Sequence, residues 1–288
     1  MKKRMSYFLA VLALVMQLSG CSMTPPAQTF TPEGELSIHI IDAGNADCIY
    51  IALPNGKDML IDGGLPASKE HILEYLEQIG AGKIDYCVAT HPHNDHIGSL
   101  DDAIKEFGIG EMLMTRAVHN TAAFEKLLEA VEQSGAQVTE AVAGTTIFDE
   151  DGVSVYILSP TETRDLQEDL NDSSVVIRMV YHNTAFLFMG DAGKSVEQEC
   201  LQSGENLKAN VIKLGHHGSS TASTEAFMKR VDPDYAVITC GEGNSYGHPH
   251  AETMALMEAY QIPVYRSDEK GDIVFTSDGN TVSVETEK

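Results

Sequence analysis

The sequence predicts an α/β sandwich, two β-sheets packed face to face and covered outside by helices. Three observations predict it. From Glu35 onward short β-rich runs recur, bounded by glycine and turn residues. Several of these runs are followed by segments with helical periodicity. No linker-like stretch or short repeat interrupts residues 35–286, so all the elements belong to one domain. A doubly wound single sheet shares this pattern, and periodicity does not separate the two.

In chain order, the first expected strands are Leu36–Ile41, Cys48–Leu53 and Met59–Ile61, divided by the turn-rich Asp42-Ala-Gly-Asn45 and Pro54-Asn-Gly56. A helix is expected over Ala67–Ile79, then the apolar strand Ile84–Thr90 and a helix over Leu100–Phe107. Strand Glu111–Thr115 and helix Thr121–Gln133 follow. Strands Val153–Ser159, Ser174–Tyr181 and Thr184–Met189 come next, the last two joined by a hairpin turn at His182-Asn183. The remainder alternates: helix Ser195–Gln202, strand Val211–Leu214, helix Thr224–Arg230, strand Tyr235–Cys240, helix Ala251–Tyr260 and strand Ile273–Thr276. Met254 and Met257 in the last helix read as core filling.

The chain has 288 residues and 43% hydrophobic content, ample for a buried core. Its start reads as basic Lys2-Lys3-Arg4, an apolar run Tyr7–Leu18, and Leu18-Ser-Gly-Cys21. That run is shorter than the roughly 20 residues a bilayer-spanning helix needs. It resembles a bacterial signal peptide ending in a lipobox, so residues 1–20 are expected to be removed and Cys21 lipidated. Residues 21–34 then form a flexible tether, and residues 35–288 form the folded domain. The expected location is the extracytoplasmic face of a bacterial cytoplasmic membrane, anchored through the lipid on Cys21.

Loss of Lys2, Lys3 and Arg4 takes the formal charge from −24 to −27. Non-specific nucleic-acid binding draws on clustered lysine and arginine. Here Lys213, Lys229, Arg230 and Arg266 are scattered, so any polyanionic substrate must be held mainly by metal ions. Cys48, Cys87, Cys200 and Cys240 show no CxxC spacing and read as buried thiols, in a compartment that would also permit a disulfide.

The densest chemistry lies in Thr90–Leu100, T-H-P-H-N-D-H-I-G-S-L, directly after an apolar strand. His91 and His93 can grip one ion from a tight loop while Asp95 and His96 turn toward a neighbouring one. Three more apolar strands end in ligand-type residues, at Asp62, at Asp191 and at the His216-His217 pair, each beside glycine. Four such endings point to a common edge.

These pieces resemble the metallo-β-lactamase fold superfamily, whose H-x-H-x-D-H signature stands as His91, His93, Asp95 and His96. Within it they are similar to the hydrolase domain, not the membrane channel, of the ComEC competence proteins. The matching stretches are Ile40–Asp47, Leu60–Gly64, Asn171–Val176, Gly190-Asp191, Lys213–Ser219 and Asn244–His250. The resemblance implies an αββα four-layer sandwich and two divalent ions, Zn2+ first and Mn2+ as the alternative. It implies that His91, His93 and Asp191 bind one ion and that Asp95, His96, Asp191 and His216 bind the other. His216 is preferred to His217 because it comes first off its strand. Asp62, Asp47 and His217 would support ligands from behind. Asn171, Ser173, Ser219 and His248 would contact substrate, with Asp95 and His248 as the catalytic residues and His248 donating a hydrogen bond or a proton. The broader superfamily supplies a third histidine to the first ion, whereas this chain has Asn171-Asp-Ser-Ser174 at the matching place.

The resulting expectation is an exported, lipid-anchored dinuclear metallohydrolase, a phosphodiesterase or nuclease acting on DNA. The alternatives are a phosphodiesterase for choline phosphate on wall polymers or another small ester, and a non-catalytic metal-containing surface binding protein. No protein partner is implied. Lactam hydrolysis is disfavoured by the missing third histidine, and di-iron redox chemistry by His93, where that branch carries glutamate.

Overall fold

Alternation in the first strand, Leu36-Ser-Ile-His-Ile40, turns Leu36, Ile38 and Ile40 toward one face and Ser37 and His39 toward the other, yet all five are buried. A strand covered on both faces needs a sheet on one side and a helix on the other. The computed structural model, which describes residues 34–288, has that arrangement. Cys21, the leader and most of the tether lie outside the described residues.

The first half of the chain forms β1 (Leu36–Ile40), β2 (Ile49–Ala52), β3 (Asp58–Ile61), α1 (Lys69–Gln78), β4 (Ile84–Ala89), α2 (Asn94–Ile97), α3 (Leu100–Phe107), β5 (Ile109–Met114), α4 (Ala122–Ser134) and β6 (Gln137–Glu140). The second forms β7 (Thr146–Glu150), β8 (Val153–Ser159), β9 (Val176–Tyr181), β10 (Thr184–Phe188), α5 (Lys194–Gln202), β11 (Val211–Lys213), α6 (Glu225–Val231), β12 (Tyr235–Ile238), α7 (Ala251–Ala259), β13 (Val264–Arg266), α8 (Ser267–Lys270), β14 (Ile273–Ser277) and β15 (Val282–Thr286). One sheet runs β15-β14-β1-β2-β3-β4-β5-β6 and the other β13-β12-β11-β10-β9-β8-β7. Each sheet is mixed. Strands β3 to β6 pair in parallel in the first sheet, and β10 to β13 in the second.

Three apolar layers define the sandwich. Ile38, Ile51 and Met59 of the first sheet meet Phe186, Phe188 and Val237 of the second in the central layer. Ile72, Ala103 and Leu127 pack the first sheet against α1, α3 and α4. Val196, Phe227 and Met257 pack the second against α5, α6 and α7. The expected αββα order is therefore observed, and the single doubly wound sheet is excluded. Cys48, Cys87, Cys200 and Cys240 are buried free thiols. Among the described residues no helix is long and apolar enough to cross a membrane.

His39, on the helix-facing side of β1, meets the Tyr75 hydroxyl of α1 at 2.9 Å and Ser37 at 3.1 Å. Burial lowers its pKa to about 4, against the opposing pull of Asp272. The unfolded chain takes up this proton near 6.5 and the folded chain only near 4. The unfolded state therefore binds more protons in that window, and stability falls as pH falls through it. The loss from this group alone is on the order of 3 kcal/mol. Urea unfolding of metal-free protein at pH 7 and pH 5 checks this: His39→Gln should reduce the pH dependence relative to wild type, and an unchanged slope would refute the assignment.

Candidate metal centre

Four strand ends deliver the polar residues to one rim between the sheets. After β3, Asp62 adopts φ 60°, and its carboxylate accepts the Thr90 amide at 2.8 Å and the Thr90 hydroxyl at 2.7 Å. Gly63 then donates to the His96 carbonyl at 2.6 Å. A Cβ at Gly63 would stand 2.6 Å from the Leu100 nitrogen, so only glycine lets this loop lie on the start of α3. Strand β4 leads to His91, and the single-turn α2, with His93 at its N-cap, carries Asp95 and His96. Strand β10 leads through Met189-Gly190 to Asp191. Strand β11 leads to the Gly215–Gly218 turn, where His216 and His217 have φ 50° and 52°. A left-handed conformation costs a non-glycine residue about 1–2 kcal/mol. Two in succession persist only where the surroundings over-determine them, as at functional sites.

Asp191 is the hub. Its Oδ1 lies 3.2 Å from His96 Nε2 and 3.4 Å from His217 Nε2. Its Oδ2 lies 3.8 Å from both His91 Nε2 and His216 Nε2. His217 Nε2 is also 3.5 Å from Asp95 Oδ2, and His91 Nε2 is 3.0 Å from His93 Nδ1. Two ligand groups result, Asp95-His96-Asp191-His217 and His91-His93-Asp191, with the ligand atoms of each within 4.8 Å of one another. His96 Nε2, His217 Nε2 and Asp191 Oδ1 are buried without a hydrogen-bond partner. Convergent buried atoms left unpaired are costly unless a cation joins them. The donor set thus fits divalent metal, with imidazole and carboxylate ligands suited to Zn2+.

The far sides of the His96, His91, His217 and His216 imidazoles are held. His96 Nδ1 meets Asp62 Oδ2 at 2.7 Å, and His91 Nδ1 meets Thr90 Oγ1 at 3.2 Å and Ser174 Oγ at 3.3 Å. His217 Nδ1 donates to the Thr239 carbonyl at 2.8 Å, and His216 Nδ1 meets Thr221 Oγ1 at 3.1 Å. These contacts fix ring orientation and aim Nε2 inward. Behind them Asp47 accepts from the Thr239 hydroxyl at 2.5 Å and pairs with buried Lys213, whose Nζ donates to the Gly190 carbonyl at 3.0 Å. Asp47, Asp62 and His96 also cluster, but through His96 Nδ1, so this group supports the centre from behind.

Charge is distributed accordingly. Burial opposes ionisation of His96, but Asp191 and Asp62 outweigh it and raise its pKa well above the ordinary imidazole value. Burial would likewise raise the carboxyl of Asp191, yet His217 and His96 hold it well below the usual range. The carboxylates that favour the charged form of His96 would equally favour a cation in its place.

The sequence profile described as "Metallo-beta-lactamase superfamily" matches residues 41–242. The chain belongs to this superfamily. Metallo-beta-lactamase folds are typically metal-dependent hydrolases holding two divalent ions, consistent with the pair of groups around Asp191. "ComE operon protein 3" of Bacillus subtilis is 29% identical over 84% of this chain and 33% of its own length. "Competence protein ComA" of Neisseria gonorrhoeae is 28% identical over 85% of this chain and 33% of its own length. The chain thus spans about a third of the length of these ComEC-type relatives. The metallo-beta-lactamase fold protein YhfI of Bacillus subtilis superposes with a TM-score of 0.54 at 10% identity, covering 83% of this chain and 98% of its own.

Against this metallo-beta-lactamase frame, the structure brings His91, His93, Asp95, His96 and Asp191 together and sets Asp62 and Asp47 behind them. Three expected placements are corrected. His217, not His216, joins the second group, because the turn buries His217 against Thr239 at 1% side-chain exposure and leaves His216 at 26%, nearer the first group's Asp191 oxygen. Ser173 is turned away from the cleft, donating to the Leu170 carbonyl at 2.6 Å. Ser219 is buried under Thr221, accepting from its hydroxyl at 3.0 Å, and so braces the partner of His216.

Asn171 and His248 line the cleft over the metal groups, about 380 Å3 in volume, together with Asn45, His119 and Tyr246. Burial and the neighbouring His217 and His216 hold His248 down to about 4, so at neutral pH it is a neutral ring and not an imidazolium proton donor. Sequence reasoning missed Ser174, Thr221, Thr239 and the role of Lys213, which it placed among scattered cations. Ser174 and Lys213 lie inside quoted motifs, but nothing in those motifs shows which way a side chain faces.

Proposed function

We propose that this chain is a dinuclear metal-dependent phosphodiesterase acting on DNA, exported and anchored through lipid on Cys21. The observation that supports it best is the buried Asp191 carboxylate shared by two ligand groups, with the unpaired Nε2 atoms of His96 and His217 converging on its own unpaired Oδ1. His91, His93 and Asp191 would hold the first ion, with His216 the next imidazole at hand. Asp95, His96, Asp191 and His217 would hold the second. Two divalent ions bound there supply Lewis-acid activation of water and neutralise phosphoryl charge. Zn2+ suits the histidine-rich set, and Mn2+ is the alternative.

The chain's own residues supply the rest. Asp62, Ser174, Thr239 and Thr221 orient the imidazoles, so little reorganisation is needed when ions and substrate arrive. Neutral His248 and the Asn171 amide, whose Oδ1 is buried without a partner, face the cleft and can hydrogen-bond substrate. No lysine or arginine is among the described residues lining the cleft, so affinity for DNA should come from the centre itself and depend weakly on salt.

The test is turnover by residues 22–288, loaded with Zn2+ or Mn2+, of single-stranded DNA, bis-p-nitrophenyl phosphate and a choline phosphate ester. Cleavage of DNA supports the reading. Turnover of the choline ester alone replaces it with a wall-polymer esterase, and no turnover of any ester by metal-loaded protein replaces it with the binding-protein alternative.

A further inference from the structure

We propose that Tyr246 is a stacking platform for a nucleobase beside the scissile phosphate, making the site selective for nucleoside phosphodiesters; this rests on the phosphodiesterase reading above. Tyr246 is 67% exposed, although tyrosine is an expensive side chain to leave in water. It is also the only Tyr, Phe or Trp among the described residues lining the cleft that holds Asp191, His217 and His248. Its ring lies 5.6 Å from that of His248, with the planes 19° apart. His248 in turn lies 6.1 Å from His217 at 28°. Near-parallel rings thus step from a buried ligand-type histidine out to the lip, where the last ring is largely exposed.

Hydrogen bonds order the backbone of the loop that carries Tyr246. The Asn244 amide donates to the Gly241 carbonyl at 2.9 Å and the His248 carbonyl at 2.6 Å, and its oxygen accepts the His248 amide at 3.0 Å. His250 Nδ1 accepts the Ser220 amide at 2.9 Å, so its Nε2 carries the proton and donates to the Tyr246 carbonyl at 3.2 Å. A ring carried on an ordered loop loses less entropy on binding than one on a mobile loop. Stacking on it is tolerant of base identity, and no lysine or arginine is among the described residues lining the cleft.

A quaternary ammonium such as choline also favours aromatic faces, but its usual receptor is a cage of several rings. Here one ring, His248, lies beside Tyr246 at 19°, while His216 and His250 stand edge-on to His248 and do not face Tyr246 across a common pocket. That geometry favours a planar group.

The experiment compares two esters with the same leaving group, thymidine 5′-(p-nitrophenyl phosphate) and methyl p-nitrophenyl phosphate, on metal-loaded wild type, Tyr246→Ala and Tyr246→Phe. The kcat/KM ratio of nucleoside over methyl ester is expected to fall roughly tenfold in Tyr246→Ala, mostly through KM, and to be retained in Tyr246→Phe. An unchanged ratio in Tyr246→Ala overturns the platform. Calorimetry of thymidine 5′-monophosphate and of phosphocholine on the same proteins tests it apart from turnover. Loss of nucleotide affinity only in the alanine variant supports the platform even if neither ester is hydrolysed, an outcome that would instead sink the phosphodiesterase reading. Loss confined to phosphocholine overturns the platform in favour of a cation site.

Discussion

Asp191→Ala is expected to lower metal-dependent phosphodiester turnover by at least about 10³-fold and to remove tight metal binding at both groups together. The reason is its position. One oxygen faces His96 and His217, the other faces His91 and His216, so its loss strips an anionic ligand from each group at once. No other residue of the centre has that reach. Asp95→Ala, which touches only the second group, should by contrast leave binding at the first. Retained far-ultraviolet circular dichroism would show that the fold survives. Equilibrium dialysis that still finds two tightly held ions in Asp191→Ala would show that this carboxylate does not bridge.

Lys213→Met carries the largest expected cost in stability, about 3–5 kcal/mol, on the order of 10 °C in thermal midpoint for a domain of this size. Lys213 is fully buried, pairs with Asp47 and donates to the Gly190 carbonyl. Removing it leaves the Asp47 carboxylate in the interior without its cation. The double variant Lys213→Met with Asp47→Leu removes both charges and should recover a large part of the loss, since a buried ion pair replaced whole costs far less than one broken. Thermal unfolding of the metal-free proteins decides it. A single variant within about 1 kcal/mol of wild type would mean that the pair contributes little.

The strands that sequence patterning missed are β6, β7, β13 and β15, and these are the two edges of each sheet. The cause is physical. An interior strand such as β10, Thr184–Phe188, is buried at every position and reads as an apolar run, whereas Gln137–Glu140 is largely exposed and reads as a loop. Edge strands form because a neighbour offers hydrogen bonds, which leaves no mark in their own residues. The layer order had a similar limit, because periodicity fixes burial but not which sheet a strand joins. That step came through the resemblance.

The centre divides the same way. His91, His93, Asp95 and His96 stand in one short loop, so their proximity could be read directly. The order of His216 and His217 could not. It depends on two successive left-handed residues, which turn the second ring inward and leave the first partly exposed. Lys213 was misjudged because burial of a lysine depends on Asp47, distant in sequence and adjacent only in the fold.

The most direct test of the account is a titration of metal-free protein with Zn2+, and separately Mn2+, followed by both bound metal and bis-p-nitrophenyl phosphate turnover. Activity is expected to rise with metal to a break at two ions per chain and to be absent at every ratio in Asp191→Ala. Wild-type protein that binds two ions yet shows no turnover, or turns over equally well without metal, would contradict it.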